Sequence, residues 1–247
     1  MADALGWRGR VGLLVPSTNT IVQPECERLR PRGVTNHIAR ITIQERPLNS
    51  EQAFLEHVQA MRDGIGAAAD QVMTAKPSAL IMGVALEAFW GGIAQAEKLR
   101  GGLAERAGVP VFMGSTATVA ALRRFGAARI AILTPHQPRG DEMVRAYMAE
   151  AGFEVVRLKG LKCASPTAIG QVSQAEIRAS LAELNGDDVE AIVQVGTNLA
   201  GVEPCAEAER WFGKPVIAIN TVTYWDALRG LGIEDRVFGC GRVLEEF

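Results

Sequence analysis

The sequence predicts an α/β protein built as two similar halves, each a parallel sheet wrapped by helices, with a ligand site in the cleft between them. Three observations predict it. Short apolar runs alternate with longer stretches of helical period. Segments of the first half recur, in the same order, in the second. Small polar residues suited to an anion gather just beyond the carboxyl ends of predicted strands, where parallel sheets place their ligands.

Taken in order, the runs read as strands are Val11 to Val15, Ile38 to Ile43, Ala79 to Met82, Val111 to Met113, Ile130 to Leu133, Glu154 to Leu158, Ala191 to Val195 and Val216 to Ile219. Most are apolar on both faces, so each sheet is expected to be covered by helices on both sides. The helical stretches between them include Glu51 to Ala75, Ala94 to Ala107, Asp141 to Ala151 and Gln174 to Leu184. Arg10-Val-Gly-Leu-Leu-Val-Pro16 parallels Arg129-Ile-Ala-Ile-Leu-Thr-Pro135, and Ala79-Leu-Ile-Met-Gly83 parallels Ile192-Val-Gln-Val-Gly196, glycine opposite glycine. Pro110-Val111, Thr116, Thr118 and Ala121-Leu-Arg123 answer to Pro215-Val216, Thr221, Thr223 and Ala227-Leu-Arg229. Three pairs in one order favour a duplication over the general likeness of α/β strands. The expected halves are pseudo-symmetric and flavodoxin-like: residues 1–118, completed by a closing helix within 220–247, and residues 119–219, with the chain crossing near Thr116 to Phe125.

Composition narrows the function classes. Of 247 residues 48% are hydrophobic and 22% charged, which fits a compact fold rather than disorder. Lys and Arg number 26 against 28 Asp and Glu, spread evenly, so no basic stripe offers itself to nucleic acid. No apolar run approaches the length of a membrane span, and the first residues lack a secretory core and cleavage site. A cytoplasmic protein, with no nucleic-acid or membrane partner, is the expectation. Cys26, Cys163, Cys205 and Cys240 are scattered without a C-x-x-C pair, and His37, His57 and His136 share no ligand spacing with them. No metal site is expected.

Four strand ends matter for the site: Pro16-Ser-Thr-Asn-Thr20, Gly83-Val-Ala-Leu-Glu87, Pro135-His-Gln137 and Gly196-Thr-Asn-Leu199. Ser17, Thr18 and Asn19 put hydroxyls and an amide before a helix, offering donors to an anion, although Ser17 or Thr18 serves equally as an N-cap. Gly83 and Gly196 permit close approach of a ligand or simply a tight turn. Thr197 and Asn198 carry donors for a carboxylate or enolate oxygen, with helix capping as the alternative.

These residues resemble the aspartate/glutamate racemase superfamily, and within it the branch of maleate cis-trans isomerases and arylmalonate decarboxylases. Val15-Pro-Ser-Thr-Asn-Thr20 with Pro24-Glu25 is similar to that branch's first loop, and Asn220-Thr-Val-Thr-Tyr-Trp-Asp-Ala-Leu-Arg229 to its closing segment. The resemblance spans nearly the whole chain. It implies a two-half fold, no organic cofactor or metal, a small carboxylate as substrate or ligand, and Asn19 as a carboxylate-binding residue. Relatives often form dimers or larger assemblies, so it extends to a homo-oligomer.

The departures from the family pattern are chemical. Racemases and isomerases of the superfamily carry a cysteine after each of two pseudo-equivalent strands. By the repeat those positions fall at Gly83 and Gly196. The hydroxyl neighbours that hold an enolate in the decarboxylases fall at Val84 and Ala85, and a tyrosine after the fifth strand at His136. The remaining candidates for proton transfer are His136, an imidazole at a strand end, and Glu87, a carboxylate near the apolar Phe89-Trp90 pair. Surface placement for His136 and helix-dipole compensation for Glu87 are their plain alternatives. Cys205 belongs on a helix, Cys163 in a loop, and Cys26 reads as a buried small hydrophobe. The expected function is a cofactor-independent lyase or isomerase acting on a malonate- or maleate-like acid through an enolate-like state, decarboxylation before racemisation because both thiols are absent. Ser17, Thr18, Asn19, Gly83, Val84, Ala85, Gly196, Thr197 and Asn198 would line the site, with His136 or Glu87 moving a proton. The alternatives are a carboxylate-binding protein without chemistry and a cis-trans isomerase with a non-thiol base.

Overall fold

A computed structural model of the chain describes residues 3–48 and 50–247. The first half runs β1 (Gly9–Pro16), α1 (Val22–Leu29), β2 (Val34–Ile41), α2 (Glu51–Met73), β3 (Ala79–Met82), α3 (Ala85–Phe89), α4 (Gly92–Ala107), β4 (Val111–Met113) and α5 (Gly114–Phe125). The second runs β5 (Arg129–Thr134), α6 (Pro138–Glu150), β6 (Glu154–Gly160), α7 (Pro166–Ile169), α8 (Gln174–Leu184), β7 (Ala191–Gln194), α9 (Val202–Phe212), β8 (Val216–Ala218), α10 (Ile219–Gly230) and α11 (Arg242–Glu246). The strands form two four-stranded sheets of order β2-β1-β3-β4 and β6-β5-β7-β8. Every pairing in them is parallel.

All eight expected strands are present, and the boundary differences have local causes. β2 starts at Val34 rather than Ile38 because it is an edge strand in which the half-buried polar residues Thr35, Asn36 and His37 separate Val34 from the apolar run. The inner strands β3 and β7 are buried at every residue, as their continuous apolar runs require. α6 begins at Pro138 rather than Asp141, since a proline needs no backbone donor in a first turn and its φ is already helical. The short α3, α7 and α11 lie below the length at which periodicity is readable.

The repeat is visible as hydrogen bonding. In α5 the Thr118 hydroxyl donates to Gly114 O at 2.7 Å, and in α10 the Thr223 hydroxyl donates to Ile219 O at 2.6 Å. These two helices pack on each other. Their approach is close enough that a Cβ on Gly114 would sit 2.6 Å from Ile219 Cδ1, which explains glycine there. α10 also lies against α1, β3 and β4, so the end of the chain helps cover the first sheet. The buried apolar residues of both halves make one continuous core.

One part of the repeat is out of register. The ladder pairs Val11 with Ala79 and Ile130 with Ala191, and it continues with Gly83 N donating to Leu14 O and Val195 N to Leu133 O, both at 2.8 Å. Gly83 therefore corresponds to Val195, and Val84 to Gly196. Matching glycine to glycine slips by one because pairing is set by the backbone ladder, not by residue type.

Candidate functional site

In a sheet of order 2-1-3-4 the connections diverge on either side of the first strand, which leaves a crevice beyond the carboxyl ends of the first and third. Each half supplies such a crevice, and the two meet. The cavity they share is lined at the ends of β1, β3, β5 and β7 by Pro16, Val84, Pro135 and Gly196, and measures about 70 Å³. A single buried water needs roughly 10–15 Å³ of such space, so the cavity has room for a small organic molecule or several waters.

The loop after β1 carries Thr18 and Asn19 into the wall. Asn19 Oδ1 accepts from the backbone N–H groups of Ile21 and Val22, both at 2.9 Å, fixing the entry to α1. Its Nδ2 donates to Thr197 Oγ1 at 3.3 Å, and that hydroxyl donates onward to Gly83 O at 3.0 Å. Three of the four loops are thereby joined through two side chains. Asn19 keeps one amide hydrogen for a ligand. Asn198 is engaged at both ends, with Oδ1 accepting from Thr20 N and Nδ2 donating to Pro166 O, each at 2.9 Å. Asn198 lines the cavity chiefly as a tie between loops.

Of the residues expected from sequence, Thr18, Asn19, Val84, Ala85, Gly196, Thr197, Asn198 and His136 line the cavity. Three do not. The exposed Ser17 turns its hydroxyl to the chain after β2, donating to Ile43 O and accepting from Ile43 N. Gly83 continues the ladder of β3, and a Cβ there would meet Leu14 O at 3.0 Å and Val22 Cγ1 at 3.2 Å, on the side of the core. Glu87 is buried in α3, where its Oε2 accepts from Arg62 Nε at 2.9 Å, and the Arg62 guanidinium lies 4.8 Å over the Trp90 ring. Burial raises the Glu87 pKa while Arg62 opposes the rise. The carboxylate is thus paired through Oε2 and stands outside the cavity wall, while Oε1 is buried with no hydrogen-bond partner among the described residues.

Gly196 is required by its backbone. Its φ of +120° is one that other residues rarely adopt, and a Cβ would lie 2.5 Å from Pro135 Cδ. Pro135 occupies the place a side chain would take.

His136 follows β5 and is 7% exposed. Its backbone N–H donates to Thr134 Oγ1 at 3.1 Å, and the same hydroxyl bonds the Asp141 carboxylate of α6. The ring Nε2 is buried without a hydrogen-bond partner among the described residues. Burial, and secondarily the nearby His57, depress its pKa to about 4, so the imidazole is neutral near pH 7.

Sequence reasoning passed over several lining residues. His57 projects from α2 into the same cavity, between Phe54 and Met61, and burial lowers its pKa too. The signal was present, since residues 54, 57, 58, 61 and 65 form the buried stripe of α2 and one of them is a histidine. Cys163, expected only as a loop residue, also lines the cavity, its thiol pKa raised by burial. Gln137 and the apolar Ile43, Leu48, Leu86, Pro166 and Ile169 complete a mainly apolar wall that contains no Lys, Arg, Asp or Glu among the described residues. Two hydrogen-bonded contacts hold its roof. Leu48 N donates to Ala164 O at 2.8 Å, and Glu45 accepts from the Thr167 hydroxyl at 2.7 Å.

The model of a family described as arylmalonate decarboxylase matches residues 11–244. A maleate isomerase of Nocardia farcinica is 26% identical over 243 residues, spanning 96% of this chain and 96% of that protein. An arylmalonate decarboxylase of Bordetella bronchiseptica is 29% identical over 173 residues, 67% of this chain and 70% of that protein. Among solved structures, the Nocardia farcinica maleate cis-trans isomerase bound to TRIS superposes with a TM-score of 0.87 at 25% identity, covering 96% of this chain and 98% of the other. The same isomerase has been solved as a cysteine-to-serine mutant with a covalently bound succinylcysteine intermediate. Among the described residues of this chain, no helix is long and apolar enough to cross a membrane.

Proposed function

The chain belongs to the arylmalonate decarboxylase family, and from that premise we propose that it is a cofactor-independent lyase that decarboxylates a malonate-like acid bearing an apolar substituent. The observation that carries this reading is the uncharged, mainly apolar cavity into which a neutral imidazole, His136, is built. A carboxylate pressed against Leu48, Phe54 and Met61 is poorly solvated, and departure as CO2 relieves that state. The electron pair left behind forms an enediolate, whose oxygens fall to the remaining Asn19 amide hydrogen and the Thr18 hydroxyl. A proton taken up from water by an imidazole at the wall as the dianion binds, and given up from imidazolium, completes the reaction at carbon.

On this reading the ends of β3 and β7, where related enzymes use thiols, carry Gly83-Val84 and Val195-Gly196, and this chain works without a thiol there. The cysteine that lines the cavity, Cys163, has its thiol held protonated by burial, which suits it to packing rather than to attack. A second reading, cis-trans isomerisation of a maleate-like acid, is favoured by the fuller coverage of the maleate isomerases among the relatives.

Proton NMR in deuterated water separates the two. Phenylmalonate converted to phenylacetate carrying deuterium at the α-carbon supports the lyase. Maleate converted to fumarate, with phenylmalonate untouched, supports the isomerase. A thermal shift with both acids and no turnover of either would leave a carboxylate-binding protein and overturn the enzymatic readings.

A further inference from the structure

We infer that His57 and His136 work as one proton-transfer pair, an imidazole from each half of the molecule, which takes up a single proton as a carboxylate enters the cavity and delivers it to carbon. The inference rests on the proposed decarboxylation for its substrate, and it adds a second group and a source for the proton.

The argument starts from charge. A carboxylate leaving water for an apolar cavity needs a cation or several donors to offset lost hydration. The described lining supplies no Lys or Arg, and much of the hydrogen-bonding capacity of Asn19, Thr197 and Asn198 is already engaged within the protein. The lining groups able to become cationic are the two imidazoles. They come from opposite halves, His57 from α2 and His136 from the loop between β5 and α6. His136 presents a buried Nε2 with no partner among the described residues, so a ligand atom there would satisfy it.

The surroundings favour one proton over two. His57 is faced by Glu45, which favours its charged form, and Arg46, which disfavours it, both on the segment after β2. His136 is faced by His57 across the cavity, while the Asp141 carboxylate from α6 is bonded to Thr134 and Lys162 from the chain after β6 donates its backbone N–H to His136 O. Glu87 and Arg62 neutralise each other. Burial holds both rings neutral when the cavity holds no anion, and a charge on His57 holds His136 neutral. A proton on His57 therefore disfavours a second on His136, and the pair binds protons as a unit. His57 also borders an outer depression that it shares with Arg46, which gives it a path for exchange with solvent.

The stoichiometry closes on the same count. A malonate dianion and one proton yield one monocarboxylate and CO2. The C–C bond to the departing carboxylate breaks, its electron pair enters the enediolate, and the carbon takes the proton from imidazolium. The imidazole returns to its neutral form, ready for the next proton.

The test uses phenylacetate, which retains the carboxylate and the apolar ring and has no second carboxylate to lose. Calorimetric titration in two buffers of different ionisation enthalpy, near pH 7, is expected to show uptake of about one proton per phenylacetate bound. The affinity should fall by up to about tenfold per unit rise in pH above that. Uptake should disappear in H57Q or H136Q and persist in H37Q, whose ring bonds Thr35 on β2 outside the cavity wall. Binding with no proton uptake and a flat pH dependence overturns the pair while leaving the substrate reading intact. If no phenylacetate binds, the substrate reading fails and this inference with it. Nitrogen-15 NMR of the ligand-free protein is a check independent of binding and turnover. His136 should titrate well below the usual value of about 6.5 and move up when His57 becomes glutamine. A His136 that titrates in the ordinary range, unaffected by H57Q, overturns the coupling.

Discussion

Asn19 and Thr197, 178 residues apart in sequence, share a buried hydrogen bond of 3.3 Å that joins the first loop of one half to the last cavity loop of the other. Because Thr197 also donates to Gly83 O, removing its hydroxyl leaves two buried groups without partners at once. T197V is expected to cost about 1–3 kcal/mol, which for a chain of this size lowers the melting temperature by several degrees. N19A is expected to cost more, since it also releases the N–H groups of Ile21 and Val22 at the start of α1. Thermal denaturation followed by circular dichroism measures both, and a T197V protein as stable as the parent would show that the junction is not held by this pair.

Gly196 separates conformation from chemistry. G196A and G196C should both destabilise by about 1–3 kcal/mol, because each must hold an unfavourable φ and displace Pro135. Adding a thiol by G196C is therefore expected to lower stability without a gain in turnover. A G196C enzyme as stable as the parent in urea denaturation would refute the backbone argument.

The two acidic or basic groups singled out in the sequence should part company in kinetics. H136Q is expected to lower kcat for phenylmalonate by about 10²–10⁴-fold, the usual contribution of a positioned acid or base. E87Q should retain activity within a few-fold, since Glu87 meets Arg62 rather than the cavity. A large kcat loss in E87Q with native stability would return Glu87 to the reaction.

A pH effect on folding is expected from Glu209 in α9. Burial lifts its pKa to about 7 against the backbone donors of Val216 and Arg242, and Glu209 is 4% exposed. A folded-state pKa above the unfolded one means stability present below about 4.5 and lost as pH rises through about 7. E209Q should remove that loss, so wild type and E209Q should diverge in favour of the variant between pH 5 and about 8 in urea denaturation. Parallel stability curves across this window would contradict the assignment.

Glu45 and Thr167 close the roof of the cavity across the two halves. E45A is expected to leave global stability within about 1 kcal/mol, as the contact is at the surface, while amide exchange of Leu48, bonded to Ala164 O, accelerates. Unchanged exchange at Leu48 would mean that the roof is held without Glu45.

How much of this was legible in the chain follows from which forces act locally. The strands β3 and β7, buried on both faces, announced themselves as unbroken apolar runs. Pro110-Val111 to Arg123 and Pro215-Val216 to Arg229 announced their equivalence, and Thr118 and Thr223 make the same bond in the structure. Thr18, Asn19 and His136 line the cavity because strand ends of parallel sheets face it. His57 was not legible there, because a histidine in the stripe of α2 reaches the cavity only when α2 is laid against the loop carrying His136. Side-chain direction decided Ser17, Gly83 and Glu87, which neighbour the site in sequence and face elsewhere.

The sequence by itself determined the two-sheet α/β fold, its internal repeat, and the strand-end loops that build the cavity, since all three follow from periodicity and from sheet geometry. Only the tertiary structure decided that Val84 rather than Gly83 is the partner of Gly196, that Pro135 fills the space above Gly196, and that two neutral imidazoles share one uncharged cavity. Those outcomes depend on ladder hydrogen bonds and on desolvation between residues distant in the chain, and neither quantity exists until the halves have folded together.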